Sequence, residues 1–130
     1  MSKIDAIVTP EMQEIHDTYH YSSAVRDGKR LFCSGQIGYG PDGVPAKDPE
    51  TQFKQAFELI KSTLAASGAS FADVVELVSY HVGLREHLDT FVKVKDLYLK
   101  HPYPTWTAIG IVELGLPGAL VEVKVTARLP

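Results

Sequence analysis

The apolar positions of this chain change period along its length, and the changes mark its elements. Between Asp48 and Gly68, Phe53, Ala56, Phe57, Ile60 and Leu64 recur at helical spacing and form one stripe, which predicts a helix buried on a single face. Asp48 is placed to cap that helix, Pro49 suits its first turn, and Gly68 falls just beyond its end. A second helix is predicted from about Arg85 to Lys100, with Leu88, Phe91, Val94 or Lys95, and Tyr98 along its inner edge. Pro102 and Pro104 end it, because proline cannot donate the backbone hydrogen bond that would continue the helix.

Elsewhere the pattern is that of strands. Tyr21–Val25 and Arg30–Ser34 flank Asp27-Gly28, a strong hairpin signal. Val74–Gly83 is rich in β-branched and aromatic residues and carries apolar groups on both sides, with Val74, Val78, Tyr80 and Val82 assigned to one face and Val75 and Leu77 to the other. Thr105–Ile111 and Val121–Arg128 form two final strands around a Gly/Pro-rich loop at 115–118, and 35–49 reads as loop. Residues 1–19 are mixed and polar, with Pro10 interrupting any helix, and read as an arm or edge segment. The order predicts one α/β (α+β) domain spanning 1–130, a mixed sheet with two helices packed on one face. Its other face still carries apolar side chains, so self-association is expected there.

Composition narrows the functional classes. The 130 residues are 45% hydrophobic and 22% charged, as in ordinary globular proteins. A formal charge of −3 and the lack of any basic block argue against nucleic acid as a partner. No stretch reaches the ~18 apolar residues of a membrane helix, and the N-terminus shows no apolar signal region, so no membrane association and a cytoplasmic setting are expected. Cys33 is the only cysteine; it lies in the apolar run Leu31-Phe32-Cys33 and is expected to be a small buried hydrophobe.

Several fragments, taken in order, resemble the RidA/YjgF (reactive-intermediate deaminase) family. They are Tyr21-Ser22-Ser23-Ala24-Val25, Leu31-Phe32-Cys33-Ser34-Gly35-Gln36-Ile37, Ala65-Ala66-Ser67-Gly68 before Phe71-Ala72-Asp73-Val74-Val75, Phe91 with Val94 and Tyr98, Pro104-Thr105-Trp106-Thr107, and Val121-Glu122-Val123-Lys124. The resemblance covers roughly residues 19–128. It implies a chorismate-mutase-like fold, a homotrimer with sheets lining the centre, and ligand clefts between neighbouring subunits. The activity it implies is hydrolysis of reactive enamines and imines to ammonia and a 2-oxo acid, with no cofactor. The other readings it leaves open are a metabolite sensor or chaperone-like binding protein without turnover and, from older family naming, an endoribonuclease.

Residue by residue, the resemblance makes Glu122 the acidic residue that positions the attacking water. Tyr21 corresponds to the tyrosine of the family's Gly-Pro-Tyr-Ser segment, with His20 in place of proline. Ser34, Gly35 and Gln36 correspond to the loop whose backbone approaches the ligand. Trp106 and Thr107 fall where the deaminases read Pro-Ala-Arg-Ser, so an indole stands in place of the arginine that would clamp a substrate carboxylate. Lys95 stands where the deaminases usually carry asparagine. The pattern Tyr103-Pro104-Thr105-Trp106-Thr107-Ala108 is more similar to an arginine-less, YjgH-like branch. Arg85, His87, Lys95 and His20 are candidates for the missing cation, and nothing in their spacing selects one.

Blander roles compete with each of these. Glu122 also fits a polar strand face beside Lys124, and Trp106 also fits a packing role at the cleft edge. His81, in the buried strand, is expected to be a hydrogen-bonded core histidine. The five histidines show no helical metal-ligand spacing, so no metal is expected. Phosphate-binding glycine motifs and a Gly-x-Ser-x-Gly elbow are absent.

Overall fold

The computed structural model describes residues 4–130, and one mixed sheet carries its three α-helices. In chain order the elements are β1 (Asp5–Ile7), α1 (Gln13–Tyr19), β2 (Ala24–Asp27), β3 (Arg30–Cys33), β4 (Gln36–Ile37), α2 (Pro49–Ala66), β5 (Val74–His81), α3 (Leu84–Tyr98), β6 (Thr105–Gly110) and β7 (Val121–Arg128). The strands lie in the order β1-β2-β3-β7-β5-β6, and the short β4 also pairs with β7. All pairings are antiparallel except β5 with β6, which α3 connects as a parallel crossover.

β7 is the middle of the sheet, and its alternation organises everything else. Val121, Val123, Val125 and Ala127 point to the inner face and are fully buried. The predicted stripe of α2 meets them, with Phe53, Ala56, Phe57 and Ile60 all at 0% exposure. Phe91 of α3 stands edge-on to Phe53 at 5.5 Å, and Phe57 stacks on Tyr98 at 5.0 Å, which locks the two helices together. Burying each of these large side chains contributes roughly 1.5–3 kcal/mol. The expected cap forms, the Asp48 carboxylate accepting from the Thr51 N–H at 3.0 Å. The β2–β3 hairpin turns at Gly28, whose φ of +63° explains why glycine follows Asp27.

Buried Gln52 of α2 fixes the long loop between β6 and β7. Its Oε1 accepts from the Leu120 N–H at 2.6 Å, and its Nε2 donates to the Gly118 carbonyl at 3.0 Å. That loop borders the site described below.

Three expectations change. β5 contains a bulge between Val74 and Glu76, so Val74, Leu77, Ser79 and His81 share the inner face while Val78 and Tyr80 face outward. The extra residue at Val75 shifts the two-residue alternation by one step, which a strict period-two reading cannot anticipate. Residues 36–37, read as loop, form β4. The polar N-terminal segment does supply an edge strand, β1, yet Pro10 opens a helical turn instead of preventing one, and α1 follows it. His20 ends α1 at φ 62°, so it is a C-terminal cap and not a helical partner of His16.

Among the described residues no helix covers the outer face, and Phe32, Val75 and Ile109 lie on it with 45%, 39% and 39% exposure.

Candidate functional site

The pleat that buries the valines of β7 turns Glu122 and Lys124 to the outer face. Glu122 is held in mid-sheet, its backbone paired with Ile37 of β4 on one side and Tyr80 of β5 on the other. An open cleft of about 600 Å³ lies over it, within the size range of small-molecule sites. Tyr21, Ser34 and Gly35 form one wall, Tyr80 and Lys124 flank the carboxylate, and Ile111 and Leu114 of the β6–β7 loop form an apolar rim.

Gly35 meets Glu122 most closely. A Cβ built on Gly35 would stand 2.5 Å from Oε2 and 2.8 Å from Cδ of Glu122, so only glycine leaves room for the carboxylate where it lies. This half-buried carboxyl is held above the ordinary carboxylate range by burial, which Lys124 partly offsets. The Tyr21 phenol is likewise pushed up, first by burial and then by the charge of Glu122. A carboxyl with a raised pKa is better suited to taking up and returning a proton than an ordinary surface glutamate.

The other anticipated residues divide between roles and faces. Ser34 lies in the cleft wall, but its hydroxyl donates to the Ser22 carbonyl at 2.7 Å and its N–H to the Ser23 carbonyl at 2.9 Å, bonds that fix the approach of Gly35. The Gln36 side chain points inward, buried, with Nε2 donating to Met12 Sδ at 3.6 Å. Thr107 is exposed on the outer face, across β5 from Lys124, and does not line the cleft.

Trp106 lies on the opposite side of the sheet. It pairs with the buried Leu77, packs on Phe91 at 5.9 Å, and its Nε1–H donates to Ser79 Oγ at 2.9 Å. Lys95 stacks over the indole at 5.1 Å and pairs with Asp96 at 3.1 Å. Within one chain, then, neither Trp106 nor Lys95 reaches the cleft over Glu122. His81 is buried as expected but only half satisfied: Nε2 bonds Ser79 Oγ at 2.7 Å, and Nδ1 has no partner among the described residues. Burial and neighbouring His87 bring its pKa down to about 4.

Sequence reasoning did not select Tyr80, Lys124, Ile111 or Leu114. The alternation of β7 already put Lys124 beside Glu122, and that signal was available. Tyr80 depends on the β5–β7 register, and the two rim residues on the course of the loop. Cys33 is buried with its thiol pushed up to about 12, which makes it a packing residue. Among the described residues no group of His, Cys, Asp or Glu side chains is arranged to hold a metal ion, and no helix is long and apolar enough to cross a membrane.

This fold and this arrangement over the central strand define the RidA/YjgF class of proteins. Residues 11–129 match that family, described as Endoribonuclease L-PSP, and the chain belongs to it. Among its relatives, the RutC family protein YjgH of Escherichia coli (strain K12) is 36% identical over 126 residues, covering 96% of this chain and 95% of that protein. A solved structure of protein YjgH superposes with a TM-score of 0.89 at 35% identity, covering 99% and 98% of the two chains. The 2-iminobutanoate/2-iminopropanoate deaminase of Dermatophagoides farinae is 30% identical over 109 residues, covering 80% of this chain and 81% of that protein.

Proposed function

We propose that this chain hydrolyses small imines and enamines to ammonia and a 2-oxo acid, with Glu122 as the acid/base. The observation that carries the reading is the Glu122 carboxyl itself, raised in pKa and pressed against Gly35 at the floor of an open cleft. In the reaction, ionised Glu122 holds a water and takes its proton as oxygen attacks the imine carbon. The resulting carbinolamine collapses as the nitrogen accepts a proton, C–N breaks, and ammonia leaves while the carbonyl forms. One carboxyl thus takes and returns protons, a contribution of about 10²–10⁴-fold. Ser34 and the backbone around Gly35 shape the wall, and Tyr21 and Tyr80 place phenols beside the reacting atoms. The deaminase named among the relatives supports the same chemistry.

The working form in this proposal is a homotrimer. The exposed Phe32, Val75 and Ile109 on the helix-free face give copies of the chain an apolar surface to bury, and a neighbour then closes the open side of each cleft. The alternative of RNA cleavage fits poorly with a net charge of −3 and a carboxylate at the centre of the cleft.

The test couples a pyridoxal-phosphate enzyme that generates 2-iminobutanoate to a measurement of ammonia release. The wild-type protein accelerates release, and Glu122→Gln lowers the rate by about 10²–10⁴-fold. Equal rates for the two proteins contradict the role of Glu122. Ligand-dependent thermal stabilisation with no acceleration would instead establish a binding protein without turnover.

A further inference from the structure

Lys124 stands in the same cleft as Glu122, two residues along the same strand, and among the described residues carries the one ammonium that lines it. Same-side residues on a strand are about 7 Å apart, so the two side chains can address opposite ends of one small molecule. Among the described residues Lys124 has no ion-pair partner within 4 Å, Glu122 included. The other cations considered for this role lie elsewhere. Lys95 is engaged by Trp106 and Asp96 on the inner side of the sheet. His87 packs against Phe53 beside Glu86, and His20 ends α1 in an exposed position. Arg85 is exposed at the start of α3. Arg128, also on the outer face of β7, lies six residues beyond Glu122, about 20 Å along the strand.

We infer that Lys124 anchors the ligand's anionic group, so that the cleft selects small carboxylates whose adjacent carbon lies over Glu122 and whose apolar tail meets Ile111 and Leu114. This rests on the cleft being the ligand site of the proposed reaction, and it assigns the specificity residue of that site. An ammonium is a strongly hydrated point charge without the planar fork of a guanidinium. The anchor it provides is salt-sensitive and indifferent to the orientation of the carboxylate, which widens the range of acids accepted.

Calorimetric titration of 2-oxobutanoate and of its uncharged methyl ester into the wild-type protein, Lys124→Gln and Lys124→Arg tests the inference. Lys124→Gln weakens binding of the acid by about tenfold, the low end for a charge-assisted hydrogen bond at an exposed site. It leaves the ester within twofold, and Lys124→Arg restores the acid. Acid binding unchanged in Lys124→Gln overturns the inference, as does equal loss of acid and ester, or a wild-type protein that binds neither. The outcomes separate from those of the hydrolase reading. Lysine-dependent acid binding without ammonia release keeps the anchor and removes the reaction. Ammonia release by Lys124→Gln at unchanged KM keeps the reaction and removes the anchor.

Discussion

Replacing Gly35 with alanine adds a single methyl group where it bears directly on the proposed chemistry. The new Cβ would stand 2.5 Å from Glu122 Oε2, whereas ordinary contacts begin near 3.4 Å, so the carboxylate must retreat by 0.9 Å. The φ of Gly35 is not in the left-handed region, and alanine adopts its backbone without strain. The atoms that must move belong to the end of a flexible side chain on an open cleft, so the fold yields little. A displacement near 1 Å at a reacting group costs about 10²-fold in rate. Ammonia release from enzymatically generated 2-iminobutanoate should therefore fall about a hundredfold in kcat/KM for Gly35→Ala, with the thermal midpoint close to that of wild type. Gly38→Ala is the contrasting control. Its Cβ would lie 2.0 Å from the backbone carbonyl oxygen of Gln52, which cannot swing aside, so it should destabilise by about 1–3 kcal/mol or more. A full-rate Gly35→Ala protein would refute the placement of Glu122 at the reacting centre.

Other consequences follow from the inner face. His81 has a folded pKa near 4 against about 6.5 when unfolded, so above pH 6.5 both states are neutral and its contribution to stability is complete. As pH falls from 6.5 towards 4 the unfolded chain takes up a proton that the native one refuses, and stability drops by about 2 kcal/mol between pH 7 and 5. Urea unfolding at the two pH values checks this, and the drop should be largely absent in His81→Phe. Trp106→Phe keeps the packing on Phe91 but removes the donor to Ser79, at a cost of about 1 kcal/mol of unfolding free energy. A loss below 0.3 kcal/mol would mean that water replaces the indole at Ser79.

How far the sequence could be read depended on how regular each element was. α2 and β7 were legible because their periods are unbroken: a helical stripe from Phe53 to Leu64, and alternate valines from Val121 to Val125. In β5 the alternation sets Val78 and Tyr80 opposite Leu77, as observed, and Val74 changes face, because one extra residue at Val75 interrupts the period. Tyr80 becomes a neighbour of Glu122 only through the β5–β7 register, which neither strand reveals alone. Glu122, Tyr21, Ser34 and Gly35 are residues that the family resemblance singles out, and the structure gathers them in one cleft. The side on which Trp106 lies was not legible, because it depends on the parallel register that sets it beside Leu77. Neither strand reveals that register alone. The alternation of β7 sets Lys124 beside Glu122 on a polar face, and only the β6–β7 loop turns that face into a cleft.

The claim on which the rest depends is that Glu122 is a functional carboxyl in a ligand cleft, and its own titration tests it most directly. Carbon-detected NMR of the glutamate carboxyls, assigned through Glu122→Gln, follows that group with and without 2-oxobutanoate. The account predicts a midpoint above the ordinary glutamate range in the free protein, and a further shift when the ligand is added. A carboxyl that titrates with the surface glutamates and ignores the ligand would contradict it.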